Sequence, residues 1–148
     1  MFSIRPFQSQ DWPLLWPIFQ SVFATGDTYA FPPSSTEAEI RNTWVTLPQA
    51  TFVATTGADA VIGTYILKPN QPGLGSHVCN CGYVVAESAR GHGVTAALCE
   101  HSQAQARALG YRSMQFNLVV STNVVAVRLW QKLGLAIVGT LPGAFKHN

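Results

Sequence analysis

The stretch V84-V-A-E-S-A-R90-G-H-G-V-T-A-A-L-C-E-H-S-Q-A-Q-A-R-A-L-G110 carries an apolar run straight into two glycines and then into an Ala-rich segment with helical character. Gly91 and Gly93 let the backbone bend tightly or let a ligand approach it closely. The residues after them open a helix, where free N–H groups and the positive end of the helix dipole favour an anion. Arg90 adds a fixed positive charge suited to phosphate. Three readings stay open on these residues alone: a dinucleotide site, a pyrophosphate cradle, or a turn that needs glycine only for its geometry. Gly91-x-Gly93-x-x-Ala96 fits the dinucleotide pattern, but that pattern belongs in the first strand–helix unit of a parallel sheet. It also expects a ribose-binding carboxylate about 20 residues on, and no Asp or Glu follows Glu100. A P-loop is excluded because no Gly-Lys-Ser/Thr follows.

Working outward, the order of elements sets the fold class. "FSIRPF" (2–7) reads as a strand limited by Pro6. Ser9–Ala24 carries an apolar helical face, with Pro17 expected to kink or restart it. Thr36 and Glu39 form the spacing of a capping box before a second helix. "ATFVATT" (50–56) and "AVIGTYILK" (60–68) flank the turn "GAD" and read as a hairpin, and "SHVCNCGYVV" (76–85) continues the meander. The helix Val94–Leu109 ends at Gly110. "SMQFNLVV" (113–120) is expected as a strand, "NVVAVRLWQKLG" (123–134) as a helix, and "LAIVGTLP" (135–142) as a last strand. A meander followed by strand–helix–strand crossovers predicts an α/β protein of the α+β type, with one mixed sheet covered by helices. The 148 residues fit a single domain over 1–148.

Composition narrows the function. Residues 1–89 carry three basic and six acidic side chains, a net −3, whereas residues 90–148 carry six basic and one acidic, a net +5. That imbalance suits a small polyanion held by the C-terminal half. The basic residues are scattered without aromatic interleaving, which argues against nucleic acid. Apolar runs are too short to span a membrane, and no signal peptide is visible. Three cysteines make no disulfide framework, so a reducing cytoplasm is expected. Charged residues are only 11% of the chain, a sparse surface that suits a homodimer.

Arg90-Gly91-His92-Gly93-Val94-Thr95 resembles the R/Q-x-x-G-x-G/A signature of the GNAT superfamily of acetyl-CoA-dependent N-acyltransferases, with Thr95 where Gly or Ala is usual. Asn123-Val124-Val125-Ala126-Val127-Arg128-Leu129-Trp130-Gln131-Lys132-Leu133-Gly134-Leu135 resembles its second signature, N-x-x-A-x-x-L-Y-x-K-x-G-F. The two occur in the family's order on the expected elements, and the element order is similar across nearly the whole chain. Among such proteins the phosphinothricin and amino-acid acetyltransferases look most alike.

The resemblance implies that the strands 76–85 and 113–120 splay apart and admit acetyl-CoA as co-substrate. The pantetheine arm would then pair near Tyr83, Val84 and Val85. The pyrophosphate would lie on the amides from Gly91 through His92, Gly93 and Val94 to Thr95, beside Arg90. Asn123 would reach the pantetheine arm, or simply cap its helix. The reaction implied is direct transfer of an acetyl group to an amine, here of a small molecule, in a ternary complex. Trp130 stands where many members place a Tyr hydroxyl, and an indole N–H donates a hydrogen bond but is no acid; Trp130 is read as packing on the cofactor or core. No general base is evident. His77, Tyr29 and Asn117 are the catalytic candidates, Tyr29 and Phe31 also shaping the acceptor pocket, with Asp27 nearby and Glu87 read as solvated. With neither base nor acid evident, a non-catalytic CoA-binding module is the alternative. A metal on His77, Cys79 and Cys81 is disfavoured, since alternate strand residues lie roughly 6.6–6.8 Å apart. Such proteins continue past "GTLPGAFKH" into one more strand, so the fold is expected to lack its last strand, with the open edge covered in a dimer. Thr95 is expected to donate to the phosphates or else to crowd them.

Overall fold

The computed structural model describes residues 1–147. Its core is a five-stranded sheet in the order β1-β2-β3-β4-β5, from Phe2–Pro6, Ala50–Thr56, Val61–Pro69, Val78–Val85 and Ser113–Met114. The first four strands pair antiparallel and β5 joins β4 in parallel. The sheet is therefore mixed, with helices on both faces.

One face holds α1 (Trp12–Phe23) and α2 (Glu37–Arg41), which runs on as a wider turn over Asn42–Thr46. Trp12, Leu15, Phe19, Val22 and Phe23 pack there with Trp44, Val53, Ile66 and Val84. The other face holds α3 (Val94–Ala108), whose Val94, Leu98, Cys99 and Ala106 pack on Tyr65, Leu67, Cys79, Cys81, Tyr83 and Val85. Each strand thus sends alternate residues to opposite cores, as the pleat requires. The expected capping box forms: Glu39 N donates to Thr36 Oγ1 at 3.3 Å and Thr36 N to Glu39 Oε2 at 2.8 Å.

Three expectations need correction. Pro17 does not break α1, which runs unbroken from Trp12 to Phe23; Pro17 is exposed, so the carbonyl it leaves free is on the wet side and the buried stripe is continuous. The strand expected over 113–120 is paired only at Ser113 and Met114. The strand expected over 135–142 is not formed: among the described residues, 135–147 have neither helix nor strand. Ile137 is 63%, Val138 93% and Leu141 78% exposed. A strand without a neighbour leaves its backbone groups unpaired and buries nothing. No described helix is long and apolar enough to cross a membrane.

Candidate active site at the fork between β4 and β5

The site begins where β5 leaves β4. Val78 pairs with Ser113 and Cys79 with Met114, and Gln115 N donates to Cys79 O at 2.8 Å; beyond that the strands part. The direction of the backbone groups along β4 follows from its other neighbour. Asn70 N donates to Val78 O and Ala86 N to Ile62 O, so the even-numbered residues of β4 turn their N–H and C=O to β3. The odd-numbered residues turn theirs to β5, as Cys79 O does. Past the fork, the N–H and C=O of Cys81, Tyr83 and Val85 therefore face an open gap.

Of the expected pantetheine partners, Tyr83 and Val85 present their backbone to this gap. Val84 does not: it lies opposite Thr64 of β3, and its side chain is in the α1 core. Cys81 joins the gap-facing set instead. Sequence could not separate these, because which parity faces β3 is fixed by the β3–β4 register.

The wide end of the gap leads to α3. Gly91 and Gly93 both have φ +76, and Gly93 is the N-cap with no side-chain cap. A left-handed N-cap there needs glycine. The amides of Gly91 through Ala96 have no acceptor among the described residues. A Cβ on Gly91 or Gly93 would meet nothing within 4 Å, so the turn opens outward as a cradle rather than packing on the protein. Arg90, His92 and both glycines are exposed, Thr95 is half-buried and Val94 is buried at 2%. His92 Nδ1 lies 2.9 Å from Arg90 O. These features suit a phosphate-bearing ligand.

The rest of the lining comes from three sides. Asn123 caps α4 (Val124–Lys132), its Oδ1 accepting from Ala126 N at 3.3 Å, and its Nδ2 has no partner among the described residues. Trp130 packs with Tyr83 and Phe116, at 5.2 and 5.0 Å between ring centroids. From the α1–α2 loop, Tyr29 Oη donates to Tyr83 O at 2.6 Å. Burial pushes the Tyr29 phenol up to about 12, with Arg90 pulling the other way. Phe31 stacks on Phe23 at 4.9 Å.

The other catalytic candidates lie elsewhere. His77 is exposed at the far end of β4, bonded to Leu74 O at 3.1 Å, roughly 20 Å of strand from Tyr83. Asn117 is exposed and donates to Asn70 Oδ1 at 2.7 Å, while Gln115 Nε2 donates to Asn117 Oδ1. Asn80, missed in the sequence, donates to Gln115 O at 2.9 Å and is the tie at the point of the fork. Cys79 and Cys81 are buried against α3, whereas His77 is not.

A strand pair that splays beside a glycine-built helix start is the architecture of an acyl-CoA-type acyltransferase, and residues 12–135 match the Acetyltransferase (GNAT) family model. The chain belongs to that family. A GCN5-related N-acetyltransferase from Kribbella flavida is 42% identical, covers 99% of this chain and 89% of its own, and superposes with a TM-score of 0.93. A phosphinothricin acetyltransferase from Sinorhizobium meliloti, solved with acetyl-CoA, is 20% identical over 90% of this chain and 74% of its own, at a TM-score of 0.78; that likeness is one of fold. The N-acetyltransferase aca1 of Schizosaccharomyces pombe is 36% identical over 85 residues, 57% of this chain. The match spans 41% of that protein's length, and a match to the Saccharomyces cerevisiae protein SPT10 spans 13% of its length.

Proposed function

We propose that this protein transfers the acetyl group of acetyl-CoA to the amine of a small molecule, by direct attack in a ternary complex. The observation that carries the reading is the gap itself: the backbone groups of Cys81, Tyr83 and Val85 face it without a strand partner, the carbonyl of Tyr83 alone being met by Tyr29, and they lead to a row of free amides at a helix start. The amides of Gly91 to Thr95, with Arg90, would hold the pyrophosphate. Tyr83 and Val85 would pair with the pantetheine arm, Asn123 Nδ2 would donate to it, and Trp130 would form a wall beside it. Acetyl-CoA supplies the activated acyl group.

The backbone N–H groups of Cys81 and Tyr83 point where negative charge develops on the acyl oxygen, and fixed donors at such a position lower the barrier. The side chains of β4 on the α1 face near the fork are Val78, Asn80, Gly82 and Val84, without carboxylate or imidazole. The amine therefore arrives neutral or loses its proton to water. That same lack of a base favours a second reading, a non-catalytic CoA-binding module.

Release of CoA thiol from acetyl-CoA across a panel of small amines separates the two. Turnover on an amine supports the transferase. Calorimetric binding of acetyl-CoA without turnover supports the module, and no binding overturns both. The subfamily we favour is the phosphinothricin and amino-acid acetyltransferases. We further read residues 1–148 as one catalytic domain working in the cytoplasm, and as a homodimer that covers exposed Ile137, Val138 and Leu141.

A further inference from the structure

The loop between α1 and α2 is tied almost wholly to itself. Its backbone hydrogen bonds are local: Ala24 N to Gln20 O, Gly26 N to Phe23 O at 3.2 Å and Ser35 N to Pro32 O at 3.0 Å. The hydroxyls of Thr25 and Ser35 also bond within a few residues, to Val22 O and Pro32 O. The exception spans 54 positions, where Tyr29 Oη donates to Tyr83 O at 2.6 Å. Among the described residues this is the loop's one hydrogen bond to the sheet. The rest of its seat is aromatic, with Phe23 holding the rings of Tyr29 and Phe31 at 5.3 and 4.9 Å between centroids. Gly26, at φ +64, opens the loop with a conformation that favours glycine.

The oxygen that Tyr29 takes is the middle one of the carbonyls facing the gap. Those of Cys81 and Val85, on either side, have no partner among the described residues. A ligand lying along β4 as an added strand pairs with the backbone groups of alternate residues. The amides of a pantetheine arm supply N–H donors for such carbonyls, and the middle carbonyl already has a donor from another element. Burial pushes the Tyr29 phenol up to about 12, so it stays protonated and remains a donor near neutrality.

We propose that Tyr29 is a built-in competitor of the cofactor: its hydroxyl holds the Tyr83 carbonyl that the pantetheine arm pairs with, and the arm, on binding, releases the loop carrying Phe31 from the sheet. This rests on the acetyl-transfer reading above. The exchange swaps one hydrogen bond for another at the same oxygen, so its cost is small. That cost falls on the arm and not on the nucleotide end, which lies on the cradle. Once released, the loop keeps only its aromatic seat, so the presence of the cofactor reaches Phe31 through a single bond. A carbonyl oxygen can accept twice, and the experiment separates exchange from sharing.

The test needs no amine. Calorimetry follows the binding of CoA and, separately, of its phosphorylated ADP moiety alone, which lacks the arm. Tyr29→Phe, which keeps the ring, should bind CoA about two- to tenfold more tightly than wild type, since the arm no longer displaces a hydrogen bond. The two proteins should bind the ADP moiety equally. Equal or weaker CoA binding by Tyr29→Phe means that the hydroxyl shares or supports the site, and overturns the proposal. A like gain for the ADP moiety overturns it too, and either result leaves acetyl transfer standing. Failure of wild type to bind CoA would instead overturn the acetyl-transfer reading, and the competition with it. If Tyr29→Phe does not fold, hydrogen exchange in wild type decides: the amides of residues 26–31 should exchange faster with CoA than with the ADP moiety, and unchanged or slower exchange sinks the proposal.

Discussion

Gly63 of β3 lies directly under Val94, the first residue of α3. A Cβ at Gly63 would stand 3.3 Å from Val94 Cγ1, 3.3 Å from Leu98 Cδ1 and 3.3 Å from the carbonyl of Val84. The helix start, and the cradle with it, is seated on the sheet by the absence of one methyl group. Because the Val84 carbonyl is β4 backbone and cannot give way, the methyl added in Gly63→Ala should be accommodated on the other side, by displacing Val94 and Leu98 and with them the start of α3. We expect a loss of about 1–3 kcal/mol, read as a lower Tm, together with weaker acetyl-CoA binding by calorimetry. Gly57→Ala, where a Cβ meets nothing within 4 Å, should match wild type in both.

Gly93→Ala asks a different question, since space is open but φ is +76. The left-handed conformation should cost about 1–2 kcal/mol. The new methyl would also point out of the cradle toward any anion lying on the amides. Gly110→Ala imposes a similar conformation, at φ +88, just past the other end of α3. Both variants should lose stability, and only Gly93→Ala should lose acetyl-CoA affinity, by about tenfold or more. Equal affinities in the two variants would contradict the cradle.

Asp11 is buried beside Arg5, with both guanidinium nitrogens at 2.8 Å from its oxygens and Gln8 N at 2.7 Å. The Arg5 hydrogen bonds outweigh burial and hold the Asp11 carboxyl below its usual value. A carboxyl depressed on folding stabilises above its unfolded pKa, about 3.9, and loses that contribution as pH falls through the lower folded value. Urea midpoints should thus be flat near neutrality and drop below about pH 4. Asp11→Asn should cost about 2 kcal/mol at pH 7 and flatten the acid limb; a mutant with an unchanged acid limb would count against it.

Asn80 fastens the fork through Gln115 O. Asn80→Ala should let residues 115–117 drift from β4 and misplace the closed end of the gap. Turnover should then fall more than acetyl-CoA affinity, which is set at the other end. Asn117→Ala, removing the outer tie to Asn70, should have a smaller effect. Steady-state kinetics with calorimetry on both variants distinguishes the two ties.

Much of the fold could be read from periodicity and punctuation. The capping box at Thr36 and Glu39, the turn before Val61 and the stop at Gly110 are local signals, and each formed. Gly91 and Gly93 announced the cradle because left-handed backbone is written in residue type. What could not be read depends on neighbours. Residues 115–120 have strand composition, yet leaving β4 is what makes the gap. Residues 135–142 open with the apolar run Leu135–Val138, as a strand would, but have no partner to pair with. The choice of Cys81, Tyr83 and Val85 over Val84 follows from register with β3, which no single residue encodes. Tyr29 meets Tyr83 across 54 positions, through the packing of a loop whose sequence, "TGDTYAFPP", carries no period.

The parity of β4 has a practical corollary. The groups offered to the gap are main-chain, while the side chains of those same residues are sunk in the α3 core. Swapping Cys81 or Val85 for another apolar residue of like volume would retune packing and leave the offered groups untouched. If the loop carrying Tyr29 and Phe31 shapes the acceptor pocket, as proposed, a search for a new acceptor should leave that strand and its tie to Tyr29 alone and vary the loop around Phe31.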